Sequence, residues 1–239
     1  MPTVGHDNVS LAIEGEESTL LVDCAGSPLV KLQLAGIEPS EIGYLLFTHR
    51  HPDHMYGYPI LMLDLWLLGQ SVPLQVVAEP ESLQTAKALL KAFRFEEWLG
   101  FRAPIYREMH LNGDTVALDL PDLLVTACRS KHLVPSMAVR ITSKLSGRAV
   151  VYSSDTAVSA SVAGLARGAD VLIHEASGDY PGHSTAAQAG QVAEQAGVQS
   201  LYLVHYPALD ANLNALKAES EKEFSGSVHL ARDFGAIEF

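Results

Sequence analysis

The stretch His49-Arg50-His51-Pro52-Asp53-His54 decides how this chain is interpreted, and the apolar run Tyr44-Leu45-Leu46-Phe47 leads directly into it. Such a run predicts a buried β-strand, so three imidazoles and a carboxylate are expected at a strand end. Neutral imidazole nitrogen and carboxylate oxygen are the ligands that zinc and its first-row neighbours prefer. Because these six positions hold three of the ten histidines, a polar loop that is histidine-rich by chance is a poor explanation. The stretch therefore predicts a metal site.

Composition limits the class of protein. The 239 residues, 48% of them hydrophobic, suffice for one large domain with a buried core. No apolar run is long enough to predict a membrane span, and Met1–Asp7 lacks the basic and apolar parts of a signal peptide. Cys24 and Cys128 form no C-x-x-C pair, so we expect two free thiols and a cytoplasmic protein.

The charge of the chain argues against a broad nucleic-acid surface. The net charge is −12, whereas affinity for a phosphate backbone needs clustered lysine and arginine. One segment differs, because Arg129–Arg148 contains five basic residues and no acid. This segment predicts either a solvated hairpin or, since His132 lies within it, a small electropositive lip for an anionic substrate.

Hydrophobic patterning predicts an α/β protein, since apolar runs typical of strands are interspersed with helical patterns. The predicted strands are Leu20–Val22, Leu45–Phe47, Leu74–Val77, Leu123–Ala127, Ala138–Ile141, Ala149–Tyr152, Val171–Ile173 and Leu201–Val204. The predicted helices are Pro28–Leu34, Met55–Leu68, Glu81–Phe93, Thr185–Ala196 and Leu209–Phe224. Patterning alone goes no further than an α/β fold, in one domain.

Three further metal-ligand residues follow predicted strands, in the order His132, Asp155, His205. Combined with H-x-H-x-D-H, this order resembles the signature of the metallo-β-lactamase superfamily of binuclear metal hydrolases. The resemblance implies a four-layer αββα sandwich, as a single metal hydrolase domain over residues 1–239. It also implies two divalent metal ions, with zinc expected first and manganese or iron as alternatives.

The resemblance assigns the ligands residue by residue. One metal is expected on His49, His51 and His132, and the other on Asp53, His54 and His205. Asp155 is expected to bridge the two metals together with a water or hydroxide. A carboxylate suits this position because its two oxygens can each serve a different cation, and a paired-metal site generates hydroxide near neutral pH.

Two later segments narrow the resemblance to the ribonuclease Z branch. They are Val171-Leu172-Ile173-His174-Glu175-Ala176-Ser177 and Gly182-His183-Ser184-Thr185-Ala186-Ala187-Gln188-Ala189. In that branch the second histidine protonates the leaving oxygen and the glutamate orients it, which implies His183 as general acid and Glu175 as its partner. A second interpretation, compatible with the first, places the His183 segment at a helix start that Ser184 or Thr185 caps. With Asp53, Glu175 and His183 form the expected catalytic set.

The chain also departs from ribonuclease Z. Long-form members carry a tRNA-gripping arm between the lone histidine and the bridging aspartate, but only one hairpin fits between His132 and Asp155. The glycine-rich opening strand is also missing. We therefore expect a phosphodiesterase that acts on a small anionic ester, as the arm-free phosphonate-cyclic-diester hydrolases do. Extended tRNA binding and membrane association are disfavoured.

Several alternatives stay open from the sequence. The same ligands would serve a lactonase or a thioesterase of glyoxalase II type, which does not need the Glu175–His183 pair. A tRNA 3′-processing endonuclease and a non-enzymatic metal-holding scaffold are further alternatives. The apolar helix over Ile60–Leu68 predicts either packing within its own domain or a homodimer interface.

Overall fold

The computed structural model describes residues 2–209 and 212–239. The chain forms two compact units, Asn8–His110 and Leu111–Phe239, the second of which includes Met1–Asp7. Each unit has its own β-sheet, helices and apolar core. Within the described residues, no helix combines the length and the apolar character that a membrane span needs. The expectation of a single domain over residues 1–239 stays a prediction.

The unit Asn8–His110 contains a five-stranded sheet in the order β1-β2-β3-β4-β5. The β1–β2 pair is antiparallel and the other pairs are parallel. The first three predicted strands are confirmed as the three central strands, β2, β3 and β4. Both edges of each are paired and most of their side chains are buried, which explains their continuous apolar sequences. The bounds are β1 (Leu11–Glu14), β2 (Thr19–Val22), β3 (Ile42–Leu46), β4 (Gln75–Ala78) and β5 (Ile105–Glu108).

The helices of this unit are α1 (Pro28–Ala35), α2 (Pro52–Met55), α3 (Tyr58–Leu67) and α4 (Pro80–Ala92). The predicted helix over Met55–Leu68 is therefore observed as α3, and Met55 is the last residue of the separate short helix α2. Between the two helices, the amide N–H of Gly57 donates to the carbonyl of Cys24 at 2.9 Å instead of extending the helical bonding. A Cβ at Gly57 would lie 2.9 Å from the Gly26 carbonyl oxygen, so this close backbone approach requires glycine.

The unit that contains Leu111–Phe239 has a seven-stranded sheet in the order β12-β11-β10-β9-β8-β7-β6. Strands β6 to β9 pair antiparallel, and β9 to β12 pair parallel. The carboxyl ends of β9, β10 and β11 therefore meet at one edge of the sheet, where α/β proteins place ligands. The bounds are β6 (Thr115–Asp119), β7 (Leu123–Arg129), β8 (Met137–Ser143), β9 (Ala149–Tyr152), β10 (Val171–Glu175), β11 (Ser200–Val204) and β12 (Ser227–Leu230).

The helices of this second unit are α5 (Ala160–Ala166), α6 (Ala186–Ala196) and α7 (Leu213–Glu221). Thr185 caps α6, and a capping box with Gln188 completes the cap, which confirms the predicted helix start. The predicted helix over Leu209–Phe224 falls partly on residues 210 and 211, which lie outside the described residues. The predicted hairpin between His132 and Asp155 is confirmed as β8 and β9.

Candidate functional site

The residues of the opening stretch lie between the end of β3 and the end of α2, in the unit Asn8–His110. His51 precedes α2 as its N-cap residue, and Pro52 begins the helix. The Nε2 atom of His49 lies 3.0 Å from Nδ1 of His51, and Nε2 of His54 lies 3.8 Å from Oδ2 of Asp53. His49 and His54 are buried. The structure thus brings these predicted ligands together as two pairs, His49 with His51 and Asp53 with His54.

A buried carboxylate, Asp23, organises this cluster. Its Oδ1 accepts the amide N–H of Thr48 at 2.8 Å, while its Oδ2 accepts the Thr48 hydroxyl and Nδ1–H of His54, each at 2.8 Å. Because the Thr48 hydroxyl donates to Asp23, it is available to accept from Nδ1 of His49, 3.2 Å away. This network assigns the proton of both imidazoles to Nδ1, so each Nε2 is the nitrogen that could bind a metal.

The second cluster centres on Asp155, in the unit that contains Leu111–Phe239. The Asp155 carboxylate is buried just beyond β9. Its Oδ2 lies 3.9 Å from Nε2 of His132, and its Oδ1 lies 3.7 Å from Nε2 of His205. Both separations are too long for hydrogen bonds, but two metal–ligand bonds of about 2.0–2.2 Å can span each of them. Each oxygen of Asp155 therefore faces a different imidazole.

Both histidines of this second cluster are oriented through Nδ1. His132 donates from Nδ1 to the carbonyl of Gly182 at 2.8 Å. The Ser177 hydroxyl donates to the carbonyl of His205 at 2.9 Å, which leaves its oxygen to accept Nδ1–H of His205 at 2.8 Å. As in the first cluster, the Nε2 atoms are therefore the nitrogens that could bind a metal.

Glu175 and His183 form a separate pair beside Asp155. His183 donates from Nδ1 to Oε1 of Glu175 at 2.9 Å. Glu175 is fully buried at the end of β10, and its two oxygens accept the amide N–H groups of Thr156 and Ser177, each at 2.9 Å. Ligand atoms of Asp155, Glu175 and His183 lie within 4.8 Å of one another. Because hydrogen bonds occupy both oxygens of Glu175, we interpret it as holding His183 and not as a metal ligand.

Three residues at the strand ends adopt left-handed backbone conformations. They are Asp23 after β2, Ser154 after β9 and His205 after β11, with φ of 59°, 52° and 52°. A non-glycine residue in this region carries strain of about 1–3 kcal/mol, and such strain concentrates at functional sites. These conformations turn the chain sharply where each strand ends.

The basic segment Arg129–Arg148 does not present all of its cations to a substrate. Arg140 donates to the carbonyls of Leu165 and Arg167 at 3.0 Å each, and Arg148 pairs with Asp170 at 3.1 Å. Lys144 pairs with Asp119. Because partners within the same unit neutralise or occupy these three, the hairpin interpretation describes them better than the electropositive lip.

The structure therefore places all the residues predicted from the sequence at strand ends or in the segments that follow. The sequence did not predict the orienting roles of four groups, which are Asp23, Thr48, Ser177 and the carbonyl of Gly182. One signal was present, since Asp23 is a carboxylate that directly follows the buried strand β2. The assignment of each ligand to a particular metal stays a prediction.

Comparison with known proteins defines the class of this chain. The sequence profile of the beta-lactamase superfamily domain matches residues 18–206, which is most of the chain. The chain therefore belongs to the beta-lactamase superfamily, and its predicted α/β metallo-β-lactamase fold is confirmed. As predicted, it belongs to the ribonuclease Z-like branch and is a metal-dependent hydrolase.

Individual relatives cover nearly the whole chain. Ribonuclease Z from Mycobacterium sp. (strain KMS) is 27% identical over 268 aligned residues, which include 100% of this chain and 92% of the relative. The metallo-beta-lactamase fold protein YhfI from Bacillus subtilis aligns with a TM-score of 0.81 at 23% identity, over 97% of this chain and 91% of that chain. The short form of human tRNase Z aligns with a TM-score of 0.80 at 22% identity, over 99% and 94%.

Proposed function

We propose that this protein is a dinuclear metal-dependent phosphodiesterase. The observation that carries the proposal is the buried Asp155 carboxylate, whose two oxygens face Nε2 of His132 and Nε2 of His205 at 3.9 and 3.7 Å. A buried carboxylate between two imidazoles, each with its proton assigned to Nδ1, is a donor set that suits two divalent cations. The residues therefore fit the metal pair that the family resemblance implies.

We propose the ligand assignment that the resemblance implies. His49, His51 and His132 would hold one cation, Asp53, His54 and His205 the other, and Asp155 both. All are imidazoles or carboxylates, which accept zinc, manganese or iron, and zinc is our first choice. When bound, two such cations neutralise a phosphodiester and lower the pKa of bound water.

His183 would supply the proton that the leaving group needs. Its Nδ1–H is bound to Glu175, so Nε2 is the nitrogen available to a substrate. In hydrolysis of a phosphodiester, a new bond forms between phosphorus and a water oxygen while the bond to the leaving oxygen breaks. A proton transferred from Nε2 of His183 would neutralise that leaving oxygen. Glu175 is then a positioning residue, which fixes the imidazole and stabilises its protonated form.

Two observations favour a phosphoester over a carboxylic ester or thioester. The Glu175–His183 pair is intact and correctly hydrogen-bonded, and a lactonase or glyoxalase II-type thioesterase does not need it. In addition, the relatives that cover the chain include enzymes named ribonuclease Z. Those names make tRNA processing the second candidate. The short hairpin of β8 and β9 supplies no arm for it, so we favour a small diester as substrate.

The test is hydrolysis of bis(p-nitrophenyl) phosphate by zinc- or manganese-loaded protein. We expect turnover of this diester to fall at least ~100-fold in Asp53→Ala, which loses a proposed metal ligand. Because 4-nitrophenolate leaves without a proton, His183→Ala is assayed on methyl 2,2,2-trifluoroethyl phosphate, for which we expect turnover to fall at least ~100-fold. His229→Ala is the matched control, because His229 is an exposed residue that stacks on Tyr202 and lies outside both clusters. No turnover by protein that holds two metals per chain would overturn the proposal, and lactones, thioesters and a tRNA precursor would be assayed next.

We further propose a homodimer that forms through α1 and α3. The two helices pack against each other. Val30 and Leu34 of α1 are 53% and 63% exposed, and Ile60 and Leu67 of α3 are 45% and 66% exposed. A helix that is apolar on its exposed face as well as its buried face is typical of an interface. Light scattering should give a dimer mass for the wild type and a monomer mass for Leu67→Glu; a monomeric wild type would overturn this proposal.

A further inference from the structure

A pocket of about 360 Å³ opens beside the proposed proton donor, within the unit that contains Leu111–Phe239. His183 and His205 form part of its wall. Most of the remaining wall is apolar or aromatic and is formed by Leu133, Tyr180, Pro181, Tyr206 and Pro207. This volume is near the lower end for small-molecule sites, so the pocket suits one ring-sized group. No lysine or arginine lines it among the residues that the structure describes.

The mouth of this pocket carries two large apolar groups in contact with solvent. Leu133 is 68% exposed and Tyr180 is 66% exposed. Tyr180 belongs to the same short loop as His183, and the His183 amide N–H donates to the Tyr180 carbonyl at 3.0 Å. A hydrogen bond from the Gly178 amide N–H to the Ser184 carbonyl, also 3.0 Å, closes the loop. The aromatic ring and the proposed proton donor are therefore held in one small turn.

The wall formed by Tyr206 is rigid. Tyr206 is 5% exposed, and its hydroxyl donates to the carbonyl of Ala231 at 2.7 Å. The His6 ring stacks on the Tyr206 ring with 4.7 Å between centroids. With its hydroxyl bonded and its ring packed, Tyr206 offers a fixed aromatic surface and not an adaptable polar one.

From this arrangement we propose that the pocket binds the leaving group, and that the preferred substrates are phosphodiesters whose leaving alcohol carries an uncharged planar ring. This inference rests on the proposed function. The leaving oxygen must come within hydrogen-bond reach of Nε2 of His183, so the group attached to it occupies the space beside that ring. A planar ring can stack on Tyr180 and cover Leu133, and ring stacking of this kind contributes about 0.5–1.5 kcal/mol. A leaving group with further phosphates would find no lysine or arginine among the described residues of the wall.

The experiment compares a diester that has a ring with one that has none. For bis(p-nitrophenyl) phosphate, Tyr180→Ala should raise KM about 3–10-fold and change kcat little, because stacking of this strength corresponds to such a factor. Leu133→Ala removes the apolar contact beside the ring and should change KM in the same direction. For methyl 2,2,2-trifluoroethyl phosphate, followed by NMR, the same variants should match the wild type. Tyr180→Phe keeps the ring and should behave as wild type, and Leu145→Ala controls for loss of an exposed leucine elsewhere.

A binding experiment with the free ring compounds distinguishes failure of this inference from failure of the proposed function. Saturation-transfer NMR should detect 4-nitrophenol or uridine on the wild-type protein and a weaker signal with Tyr180→Ala, whether or not any diester is hydrolysed. Stronger binding of 4-nitrophenol would indicate aryl esters, and stronger binding of uridine would indicate nucleoside esters. Equal effects of Tyr180→Ala on the two diesters, or binding of neither ring, would overturn the inference.

Discussion

Asp23 and His54 form a buried hydrogen-bonded pair, with Oδ2 of Asp23 2.8 Å from Nδ1 of His54 and both side chains at most 1% exposed. Asp23 lies at the end of β2 and His54 lies in α2, so the pair joins two elements that the sequence separates by 31 residues. The same carboxylate reaches His49 through the Thr48 hydroxyl. One buried aspartate therefore orients two of the predicted metal ligands.

Asp23→Asn should weaken metal binding without removing any proposed ligand. An asparagine amide in place of the carboxylate weakens the support of His54 Nδ1–H, and loss of such partners typically lowers metal affinity about 10–100-fold. Competition with a chromogenic chelator measures the affinity. Thr48→Val should give a smaller loss, through His49. Asp114→Asn, at an exposed position, is the control; unchanged affinity in Asp23→Asn would contradict the orienting role.

Glu175→Gln should reduce turnover while the metals stay bound. The glutamine can accept only part of what the carboxylate accepts from Thr156, Ser177 and His183, so the imidazole of His183 loses its position and its charged partner. We expect kcat for methyl 2,2,2-trifluoroethyl phosphate, whose leaving alkoxide needs a proton, to fall by about 100-fold. Metal content by atomic absorption should stay at the wild-type value. A variant that loses metal in proportion to activity would show instead that Glu175 serves the metal ligands.

Gly182→Ala should destabilise the protein more than Gly147→Ala does. Both glycines have positive φ, 82° and 73°, so the backbone strain of alanine is similar at the two positions. At Gly182 a Cβ would also lie 3.0 Å from Nδ1 of His132 and 3.2 Å from the Leu133 amide nitrogen, whereas at Gly147 it meets nothing within 4 Å. Thermal unfolding should show the larger loss for Gly182→Ala, together with weaker metal binding. Equal losses of stability in the two variants would mean that backbone strain alone accounts for the effect of alanine.

The two cysteines should resist alkylation while the protein is folded. Both are free and buried. Burial is the largest cause that raises the pKa of the Cys128 thiol, to about 12, and it raises the pKa of Cys24 well above its usual range. Because the thiolate is the reactive form, iodoacetamide at pH 8 should modify neither residue until denaturant is added. Mass spectrometry counts the adducts, and rapid labelling of the native protein would contradict the buried placement.

The buried His174 should make the folded protein less stable at acid pH. Complete burial lowers the pKa of His174 below its usual 6.5, so the folded state keeps it neutral while the unfolded state gains a proton. The contribution of neutral His174 to the free energy of unfolding is therefore complete above about pH 6.5. It decreases as the pH falls below that value, by at most about 1.4 kcal/mol per pH unit.

His174→Gln isolates this contribution, because the other histidines are common to both proteins. We expect urea unfolding of the metal-free proteins from pH 7.5 to 5.5 to show a flatter pH profile for the variant. Parallel profiles would mean that the folded protein accommodates a charged His174.

The sequence predicted the central strands and missed the edges. Each of the eight predicted strands has a partner on both sides, so burial required the continuous apolar runs that made them recognisable. The four strands that the sequence analysis missed are β1, β5, β6 and β12, which are the edges of the two sheets. Edge strands are half exposed, and their mixed polar sequences resemble those of loops. The helix α5 was missed as well, because its serine, valine and glycine are weak helix formers.

The sequence by itself determined which residues are candidates for a metal site, because metal ligands must be particular residue types and the seven predicted ligands follow strands in an order that resembles a known family. Only the tertiary structure decided how those side chains are held. Asp23 meets His54, Ser177 meets His205 and the Gly182 carbonyl meets His132 because strand pairing and loop geometry bring distant segments together. A hydrogen-bonding partner can be a carboxylate, a hydroxyl or any backbone carbonyl, so residue type does not mark it in the sequence. Its position in the fold identifies it.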